Sequence, residues 1–414
     1  MKLEKYSFGM GDRFAHQGRA QLQAILRINE QGVPLVPVWN KSYREHVMIG
    51  TSPDEVRSEA DNAVAALNWE GSYYVDADHI GRANVDAFID PSDFFTIDVA
   101  DFIGQSARED DIRAFVDKYG SYARQIDIPN ADETIGNCSG GFQNIAAKYL
   151  PAIKEAGEVY RYIESTKGAG NFITEVSMDE TEIPQTPIEM FFILAAMSDE
   201  GIPVQTIAPR FSGRFNKGVD YVGDVEQFAR QFENHLVVVA YAVKEFGLPA
   251  NLKLSVHSGS DKFSIYGPMK HAIRKHNAGL HVKTAGTTWL EEIIGLACAG
   301  GEGLAIAKDV CRSALGRLDE LKGPYASVID IVQDRLPSSD EVDTWTGEEY
   351  AAALRHNASC LEYNPDLRQL LHIGHKVAAE MGQRYTDGLN AFEDTVAHNV
   401  FDNFLKNHLV PLFL

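Results

Sequence analysis

Three histidines in the sequence stand at the ends of short apolar runs, where a buried strand would open into a polar loop. They are His79, His257 and His281. Imidazole nitrogens combined with carboxylate or water oxygens suit Zn, Mn, Ni or Fe, and a site without thiolates keeps a position open for a ligand. One such histidine is more often a hydrogen-bonded core or rim residue, but three at predicted strand ends favour a divalent metal site.

Carboxylates accompany these histidines. Asp78 directly precedes His79, and Glu175 lies in an apolar run that alternates with period two. Residues two apart in a strand share a face, so Glu175 points the same way as Ser177 and Asp179. If the strands lie side by side in one sheet, the carboxylates and the three histidines converge, as general acid or base chemistry beside a metal requires.

The apolar runs that carry these residues alternate with stretches of helical periodicity. The eight predicted strands cover residues 6–13, 34–39, 72–77, 94–98, 172–177, 204–208, 252–256 and 280–282. Eight β-then-α units in succession predict an α/β fold of the (β/α)8 TIM-barrel type, whose active face lies at the carboxyl ends of the strands. A doubly wound open sheet is the rival, but Gly9-Met10-Gly11-Asp12 is not the glycine-rich fingerprint of that fold.

The domain organisation follows from where the strand pattern stops. The predicted barrel covers residues 1–300, with a mostly helical insertion at about 105–168 between the fourth and fifth strands. Helices without intervening strands are predicted at 304–321, 348–356, 367–381 and 389–405. Residues 301–414 are therefore predicted to form a C-terminal α-helical appendage packed on the barrel.

Basic residues collect at the predicted strand ends of an acidic chain. They are Arg13, Arg210, Lys217, Lys262 and Lys283. Arginine offers a planar fork that matches a carboxylate, and lysine offers a point charge, so together they predict an anionic substrate. For each of them taken singly, pairing with a neighbouring aspartate explains the residue equally well. These neighbours are Asp12, Asp220 and Asp261.

A further histidine pair, His372 and His375, lies three residues apart in a predicted helix. This spacing could hold a metal, but an exposed helical surface is the better interpretation.

The composition narrows the class of protein. With 414 residues and 44% hydrophobic residues, the chain can bury a large core. A net charge of -21 argues against nucleic acid and anionic membranes as partners, and no apolar run is long enough to span a bilayer. Four cysteines without a CxxC pair, and an N-terminus without the apolar core of a signal peptide, predict a cytoplasmic protein. A homo-oligomer is compatible with these features.

Several segments resemble the tagaturonate epimerase family, and the resemblance covers nearly the whole chain. These segments are residues 7–13, 76–79, 95–98, 175–181, 208–211, 217–224, 256–264, 281–287, 367–372 and 408–413. The run Val256-His257-Ser258-Gly259-Ser260-Asp261-Lys262-Phe263-Ser264 is long enough to be specific. The segment Trp39-Asn40-Lys41-Ser42 departs from the glutamine-rich stretch of the family, and the chain also lacks an N-terminal segment that members carry before the Gly-Asp-Arg motif.

The resemblance implies a divalent-metal-dependent isomerase that interconverts tagaturonate and fructuronate, or a close ketouronate or ketohexose. Residue by residue, His79, His257 and His281 look like the metal ligands, and Asp78 looks like the proton acceptor. Glu175 is the candidate proton donor. The candidate substrate contacts at the strand ends are Asp12, Arg13, Arg210, Ser258, Lys262 and Lys283.

A retro-aldol route fits these residues. The two sugar acids differ at a carbon β to the ketone, so simple enolisation does not acidify the hydrogen on that carbon. Cleavage to an enediolate and an aldehyde, rotation of the aldehyde and re-addition would invert it. Transient oxidation by a nicotinamide would need a dinucleotide fingerprint that the sequence lacks. The alternatives are a metal-dependent aldolase on a sugar acid and a non-catalytic sugar-acid-binding protein.

Overall fold

The computed structural model describes residues 1–124, 128, 141–284 and 286–414. Among these residues, eight parallel strands pair in chain order and close into a barrel, β1 with β8. Their bounds are β1 Tyr6–Met10, β2 Leu35–Ser42, β3 Tyr74–Ile80, β4 Phe94–Asp98, β5 Ile173–Ser177, β6 Thr206–Ala208, β7 Lys253–His257 and β8 Leu280–Lys283. The predicted (β/α)8 barrel is confirmed, and each predicted strand overlaps an observed one.

The two faces of the strands differ in chemistry. Outward positions such as Phe8, Phe95 and Val256 are apolar and belong to the main core beneath the helices. The lower interior is filled by a separate apolar cluster of Leu3, Val36, Val38, Tyr74, Phe94 and Ile173. Towards the carboxyl ends the inward positions become polar, so charged side chains enter a buried interior where they need partners.

Helices cover the outside of the barrel. Those that precede residue 300 are α1 Gly18–Asn29, α2 Tyr43–Ile49, α3 Pro53–Leu67, α4 Glu109–Arg124, α5 Phe142–Lys167, α6 Pro187–Asp199, α7 Val225–Phe246, α8 Phe263–Lys275 and α9 Thr287–Ala299. Local sequence sets several starts: Ser42 with Glu45 and Thr186 with Glu189 form capping boxes, and Asp224 caps α7. The predicted helical insertion appears as α4 and α5, and most of the segment between them lies outside the described residues.

The rest of the chain is helical among its described residues, as predicted. The helices are α10 Gly301–Gly316, α11 Leu318–Lys322, α12 Ser339–Thr344, α13 Gly347–Leu354, α14 Pro365–Ile373, α15 His375–Met381, α16 Gln383–Ala391, α17 Glu393–Asn403 and α18 Val410–Phe413, with a π-helix at Phe404–Leu409 between the last two. Three predicted helices are broken, at Arg317, Gly374 and Phe392. The breaks let short helices change direction over the barrel.

This C-terminal extension has its own core, which begins inside α9. Trp289 and Ile293 of α9 pack with Tyr350, Leu371 and other extension residues. The tail returns to the barrel, since the side chains of 404, 405, 409, 412 and 413 belong to the barrel's core. The extension is thereby packed on the barrel from both of its ends.

No described helix combines the length and the apolar character needed to cross a membrane.

Candidate active site and metal-binding group

Lys283 lies at the centre of a buried group of carboxylates inside the barrel. Its Nζ is 2.6 Å from Asp76 Oδ2, 3.0 Å from Asp78 Oδ1 and 3.0 Å from Glu175 Oε1. Gly9 on the neighbouring strand makes room, because a β-carbon there would lie 2.8 Å from Lys283 Cγ. We call Lys283 and these three carboxylates the Lys283 cluster. One cation faces three acids, so the cluster holds more negative than positive charge.

The members of the Lys283 cluster differ in how readily they hold a proton. Burial raises the pKa of Asp76 to about 7, against the opposing charge of Lys283. For Asp78 burial acts in the same direction, but Lys283 and His79 outweigh it and lower its pKa to about 2. Burial would lower the pKa of Lys283, yet the carboxylates, Asp76 foremost, raise it well above its usual value. Neighbouring carboxyl groups with such different pKa values are typical of acid–base sites.

Beside this cluster, His79, Asp179 and His257 form a group that could hold a metal ion. One ligand atom from each lies within 4.8 Å of the others. His257 connects the group to the Lys283 cluster, because its Nε2 lies 2.8 Å from Glu175 Oε1 while its Nδ1 lies 3.2 Å from Asp179 Oδ1. The rings of His79 and His257 stand 5.3 Å apart, nearly perpendicular.

His79 is held in an unusual backbone conformation. Its φ of 51° is left-handed, and the pairing of β3 with β4 shifts register between Ala77 and Ile80. Asp98 orients the ring, with Oδ2 3.1 Å from His79 Nδ1. A non-glycine residue held in this region costs free energy, and such strain collects at functional sites.

The third predicted ligand, His281, sits one step lower in the barrel. It pairs with Ser255 in register, whereas Lys283 pairs with His257. Its Nδ1 is 2.9 Å from Ser7 Oγ, and its buried Nε2 has no hydrogen-bond partner among the described residues. Burial lowers its pKa to about 3, so it is a neutral imidazole. The structure therefore brings together two of the three predicted histidines, with Asp179, and His281 lies outside that group.

The residues present fit a divalent metal. Imidazole and carboxylate are suitable donors for first-row ions, and ligand imidazoles usually hydrogen-bond through their other nitrogen; His79 Nδ1 lies 3.1 Å from Asp98 and His281 Nδ1 lies 2.9 Å from Ser7 Oγ. Although burial opposes it, Asp78 raises the pKa of His79 well above its usual value, and Asp179 raises that of His257 to about 9, so binding of a metal to these two rings would release protons. The buried, unpartnered Nε2 of His281 is a further donor atom.

Comparison with known proteins identifies the family. The model of the tagaturonate epimerase family matches residues 1–409. The chain belongs to the tagaturonate epimerase family. This confirms the resemblance and the isomerase class expected from it.

Individual relatives agree with this assignment. The tagaturonate/fructuronate epimerase of Thermotoga maritima is 28% identical over 349 residues, which is 81% of this chain and 68% of the relative. A glycerol-complexed crystal structure of the fructuronate-tagaturonate epimerase of Cohnella laeviribosi superposes with a TM-score of 0.82 at 24% identity, over 100% of this chain and 82% of that one. Its native crystal structure gives a TM-score of 0.78 at 23% identity, again over 100% of this chain and 82% of that one. These superpositions confirm the fold.

Two of the candidate substrate contacts, Asp12 and Lys262, bind main-chain groups of the protein itself. Asp12 accepts the N–H groups of Phe14 and His16 at 2.9 and 2.7 Å. Lys262 is fully buried, and its Nζ donates to oxygens of Asn216, Val219, Ser260 and Asp261 at 2.9–3.0 Å. Both side chains are already fully engaged with the chain itself.

The other candidate substrate contacts, Ser258, Arg210 and Arg13, differ in their exposure and in how many of their polar atoms already have partners. Ser258 Oγ donates to the Lys283 carbonyl at 2.9 Å, next to the cluster. Arg210 is partly exposed and lies over the Phe215 ring at 5.9 Å. Arg13 is buried, and its Nη2 pairs with Glu45 Oε1 at 3.1 Å, but its Nε and Nη1 have no partner among the described residues.

Sequence reasoning left several site residues without a role. Asp76, Asp98 and Asp179 all stand at predicted strand ends, and Thr96 bridges Asp76 and Glu175 with its hydroxyl, 2.9 and 3.2 Å away. The period-two alternation of a strand puts Asp179 on the same face as Glu175, and this pattern could have predicted that Asp179 belongs to the site. The interpretation of His372 and His375 as an exposed surface is wrong, because both are buried, at 2% and 1% exposure, within the extension.

Proposed function

We propose that the chain interconverts tagaturonate and fructuronate, or a close ketouronate, in a reaction that depends on a divalent metal and proceeds by retro-aldol cleavage and re-addition. The observation that carries the proposal is the Lys283 cluster. In it, the carboxylates of Asp78 and Glu175 both contact the Lys283 ammonium group, next to the His79–His257 pair. Membership of the tagaturonate epimerase family supports the choice of substrate.

His79 and His257 would hold the metal, with Asp179 or His281 completing the set. Asp179 is favoured because its carboxylate lies within 4.8 Å of both histidine ligand atoms, and His281 because its ring is neutral and its Nε2 has no hydrogen-bond partner in the described part of the chain. When bound, a Zn, Mn, Ni or Fe ion would supply Lewis-acid stabilisation of negative charge on the ketone oxygens.

Asp78 is the proton acceptor in this proposal. With a pKa of about 2 it is ionised at neutral pH, so it can take the proton of the substrate hydroxyl on the carbon to be inverted. The bond between that carbon and its neighbour then breaks, which leaves an aldehyde and an enediolate that holds the electron pair. After the aldehyde has turned over its face, the same bond forms again with the opposite configuration.

Glu175 returns a proton to the new alkoxide. His257 and Lys283 keep Glu175 ionised in the arrangement of the structure, because they lower its pKa well below the usual value although burial opposes them. Its donor role therefore requires a proton from a neighbour. Asp76, with a pKa of about 7, is that neighbour, and the Thr96 hydroxyl lies between the two carboxyl groups. The proton taken up by Asp78 returns to Asp76 through the Lys283 ammonium group, which contacts both, and this restores the starting state.

We also propose a cellular setting, supported by the composition. A net charge of -21 and dispersed cysteines suit a cytoplasmic enzyme on a small sugar acid, without nucleic acid or membrane partners. We likewise propose that the barrel domain comprises residues 1–300, that residues 301–414 form the extension, and that the protein forms a homo-oligomer.

A substrate panel tests the function. The purified protein is incubated with tagaturonate, other ketouronates and neutral ketohexoses, before and after chelation and after return of each metal, and products are identified by NMR. We expect fructuronate from tagaturonate, loss of the reaction after chelation and recovery with a divalent ion. Released fragments in stoichiometric amount would instead make it an aldolase, and binding without turnover under every metal would make it a sugar-acid-binding protein.

A further inference from the structure

A second group of cationic and imidazole side chains lies between the barrel mouth and the C-terminal extension. It consists of Arg13 after β1, Lys217 after β6, and His372 and His375 at α14 and α15, and we call it the mouth cluster. Lys217 Nζ lies against Gly259 and His372 Nε2 against Gly286, and the Gly286 N–H donates to the Gly259 carbonyl at 3.0 Å. Arg13 joins them through α2, because it pairs with Glu45 of that helix and α15 packs on α2. Burial, then the charges of Arg13 and Lys217, lower the pKa of His372 well below its usual value. Arg13 pairs with Glu45, but no described carboxylate forms a salt bridge with Lys217, so an anion placed between the two cations would be favourable.

Several polar atoms of the mouth cluster have no partner among the described residues. Arg13 Nε and Nη1 are buried donors without a hydrogen bond, and His372 Nε2 is a buried ring nitrogen without one. His375 Nε2 is also unpartnered, but its Nδ1 donates to the His372 carbonyl at 3.3 Å, so Nε2 of that neutral ring is an acceptor. Glu45 occupies only Nη2 of Arg13, at 3.1 Å. A buried donor without an acceptor costs about 1–3 kcal/mol, so several at one place indicate an acceptor that comes from outside the chain.

The side chains are held in place by the backbone around them. The N–H of Lys217 donates to the Val328 carbonyl at 2.8 Å, and the N–H of Gly218 donates to Ser260 Oγ at 3.0 Å. Arg368 Nε donates to the carbonyl of Gly218 at 2.7 Å. The extension and the loop after β7 thus fix the loop that carries Lys217, as a preorganised anion site requires.

The mouth cluster adjoins the loops that follow the reacting groups. Lys217 Nζ lies 3.4 Å from the place of a β-carbon at Gly259, two residues beyond His257. His372 Nε2 lies against Gly286, three residues beyond Lys283, where an added β-carbon would overlap it. A molecule seated on the Lys283 cluster would therefore extend towards these donors.

We propose that Arg13, Lys217 and His372 form a carboxylate-binding subsite, built jointly by the barrel and its C-terminal extension, that holds the carboxylate of the sugar acid. The inference rests on the proposed function and adds how the site distinguishes a uronate from a neutral ketohexose. Arg13 and Lys217 supply charge, and His372, neutral at neutral pH, donates to the carboxylate from Nε2–H.

Such an anchor also bears on the cleavage step. When the carbon–carbon bond of a ketouronate breaks β to the ketone, the carboxylate stays with the aldehyde fragment. That fragment must turn over its face without leaving, and an ion-paired carboxylate keeps it in the site while the aldehyde carbon rotates. The anchor would therefore favour epimerisation over release of fragments.

The test compares a charged and a neutral ligand on the same variants. Dissociation constants of tagaturonate and of the neutral ketohexose tagatose are measured by calorimetry for the wild type, Arg13→Met and Lys217→Met, together with released aldehyde during turnover. We expect both variants to bind tagaturonate roughly 10- to 100-fold more weakly, with tagatose within about twofold, and to release more aldehyde. Lys376→Met, which removes a half-exposed charge of α15 paired to Glu320, is the matched control and should change neither constant.

Equal weakening of both ligands, or an unchanged constant for tagaturonate, would overturn the subsite. Lys217 is only half buried, so its variant carries the test if Arg13→Met does not fold. The binding comparison stands apart from the proposed function. If the wild type binds both sugars but interconverts neither, the epimerase proposal fails while the preference for the uronate still decides the subsite.

Discussion

Two buried lysines on the same rim, Lys283 and Lys262, have opposite surroundings. Lys283 meets three carboxylates. Lys262 meets main-chain carbonyls and one hydroxyl, and no carboxylate oxygen lies within hydrogen-bonding distance of its Nζ among the described residues. One lysine is placed among titratable groups, and the other fixes the path of a loop.

The carboxylate next to Lys262 shows the same contrast. Asp261 Oδ2 accepts from Arg368 Nη2 at 2.7 Å and lies 2.9 Å from His356 Nδ1. Its Oδ1 accepts from Thr287 at 2.9 Å, and His408 Nε2 is 3.3 Å away. We call these residues the Asp261 cluster. They join the loop after β7 to three separate parts of the extension.

The two clusters differ in whether their charged groups all have partners of opposite charge or hydrogen-bond donors. In the Asp261 cluster one acid is surrounded by donors, an arrangement that stabilises a fold. In the Lys283 cluster acids exceed cations, and Glu175 Oε2 is buried without a hydrogen-bond partner among the described residues. Excess charge and unpartnered atoms leave that cluster able to receive a metal and a substrate.

The largest effect is expected from Asp78→Asn. It removes the proposed proton acceptor while Asp76 and Glu175 still pair with Lys283, so kcat should fall by roughly 10²- to 10⁴-fold and the thermal unfolding midpoint should change little. Steady-state kinetics with NMR detection measures it. A variant with kcat within about threefold of the wild type would remove Asp78 from the mechanism.

Asp261→Asn should have the opposite profile. It leaves Arg368 as a buried cation without its carboxylate, so the free energy of unfolding should fall by about 3–5 kcal/mol. Chemical denaturation measures that loss, and kcat per folded molecule should stay within about tenfold. If the stability is unchanged and kcat collapses, the assignment of structural and catalytic roles to the two clusters is reversed.

Acid should affect Asp76 and Asp261 in opposite directions. The folded-state pKa of Asp76 is about 7, above the unfolded value of about 3.9, so its contribution to the free energy of unfolding declines as pH rises from about 4 to 7. Arg368 and His356 hold the pKa of Asp261 well below its usual value although burial opposes them, so its contribution is complete above about pH 4 and is lost as pH falls further.

Denaturation of metal-free protein across this range separates them. Asp76→Asn should flatten the decline between about pH 4 and 7, and Asp261→Asn should flatten the loss below about pH 4. Flattening of the same limb by both variants would contradict the contrast.

The smallest change in the free energy of unfolding is expected from an exposed ion pair, which serves as the reference for the buried clusters. Arg27 and Glu30 form an exposed pair at 2.7 Å on the surface of α1. Arg27→Met should change the free energy of unfolding by less than about 1 kcal/mol and leave kcat unchanged. A loss comparable to that of Asp261→Asn would mean that burial does not explain the difference between the clusters.

Periodicity sufficed to predict the barrel, because alternating strands and eight β–α units determine which residues face inward. It predicted that Glu175 and His257 meet, and they lie 2.8 Å apart. It could not predict that His281 sits one step below Lys283, since depth depends on the register between strands. Nor could it separate Lys262 from Lys283, or place His372 inside, because these depend on contacts between distant segments.

We propose that the His79–His257 pair beside the Lys283 cluster is a metal-dependent epimerisation site. The most direct test is bound metal and fructuronate formation from tagaturonate in His257→Ala, with His276→Ala as control. His276 Nε2 also lies 2.8 Å from a glutamate, Glu233, but outside the barrel. We predict that His257→Ala loses stoichiometric metal and at least about 10²-fold in kcat/KM while His276→Ala keeps both. Full metal content and full activity in His257→Ala would contradict the claim.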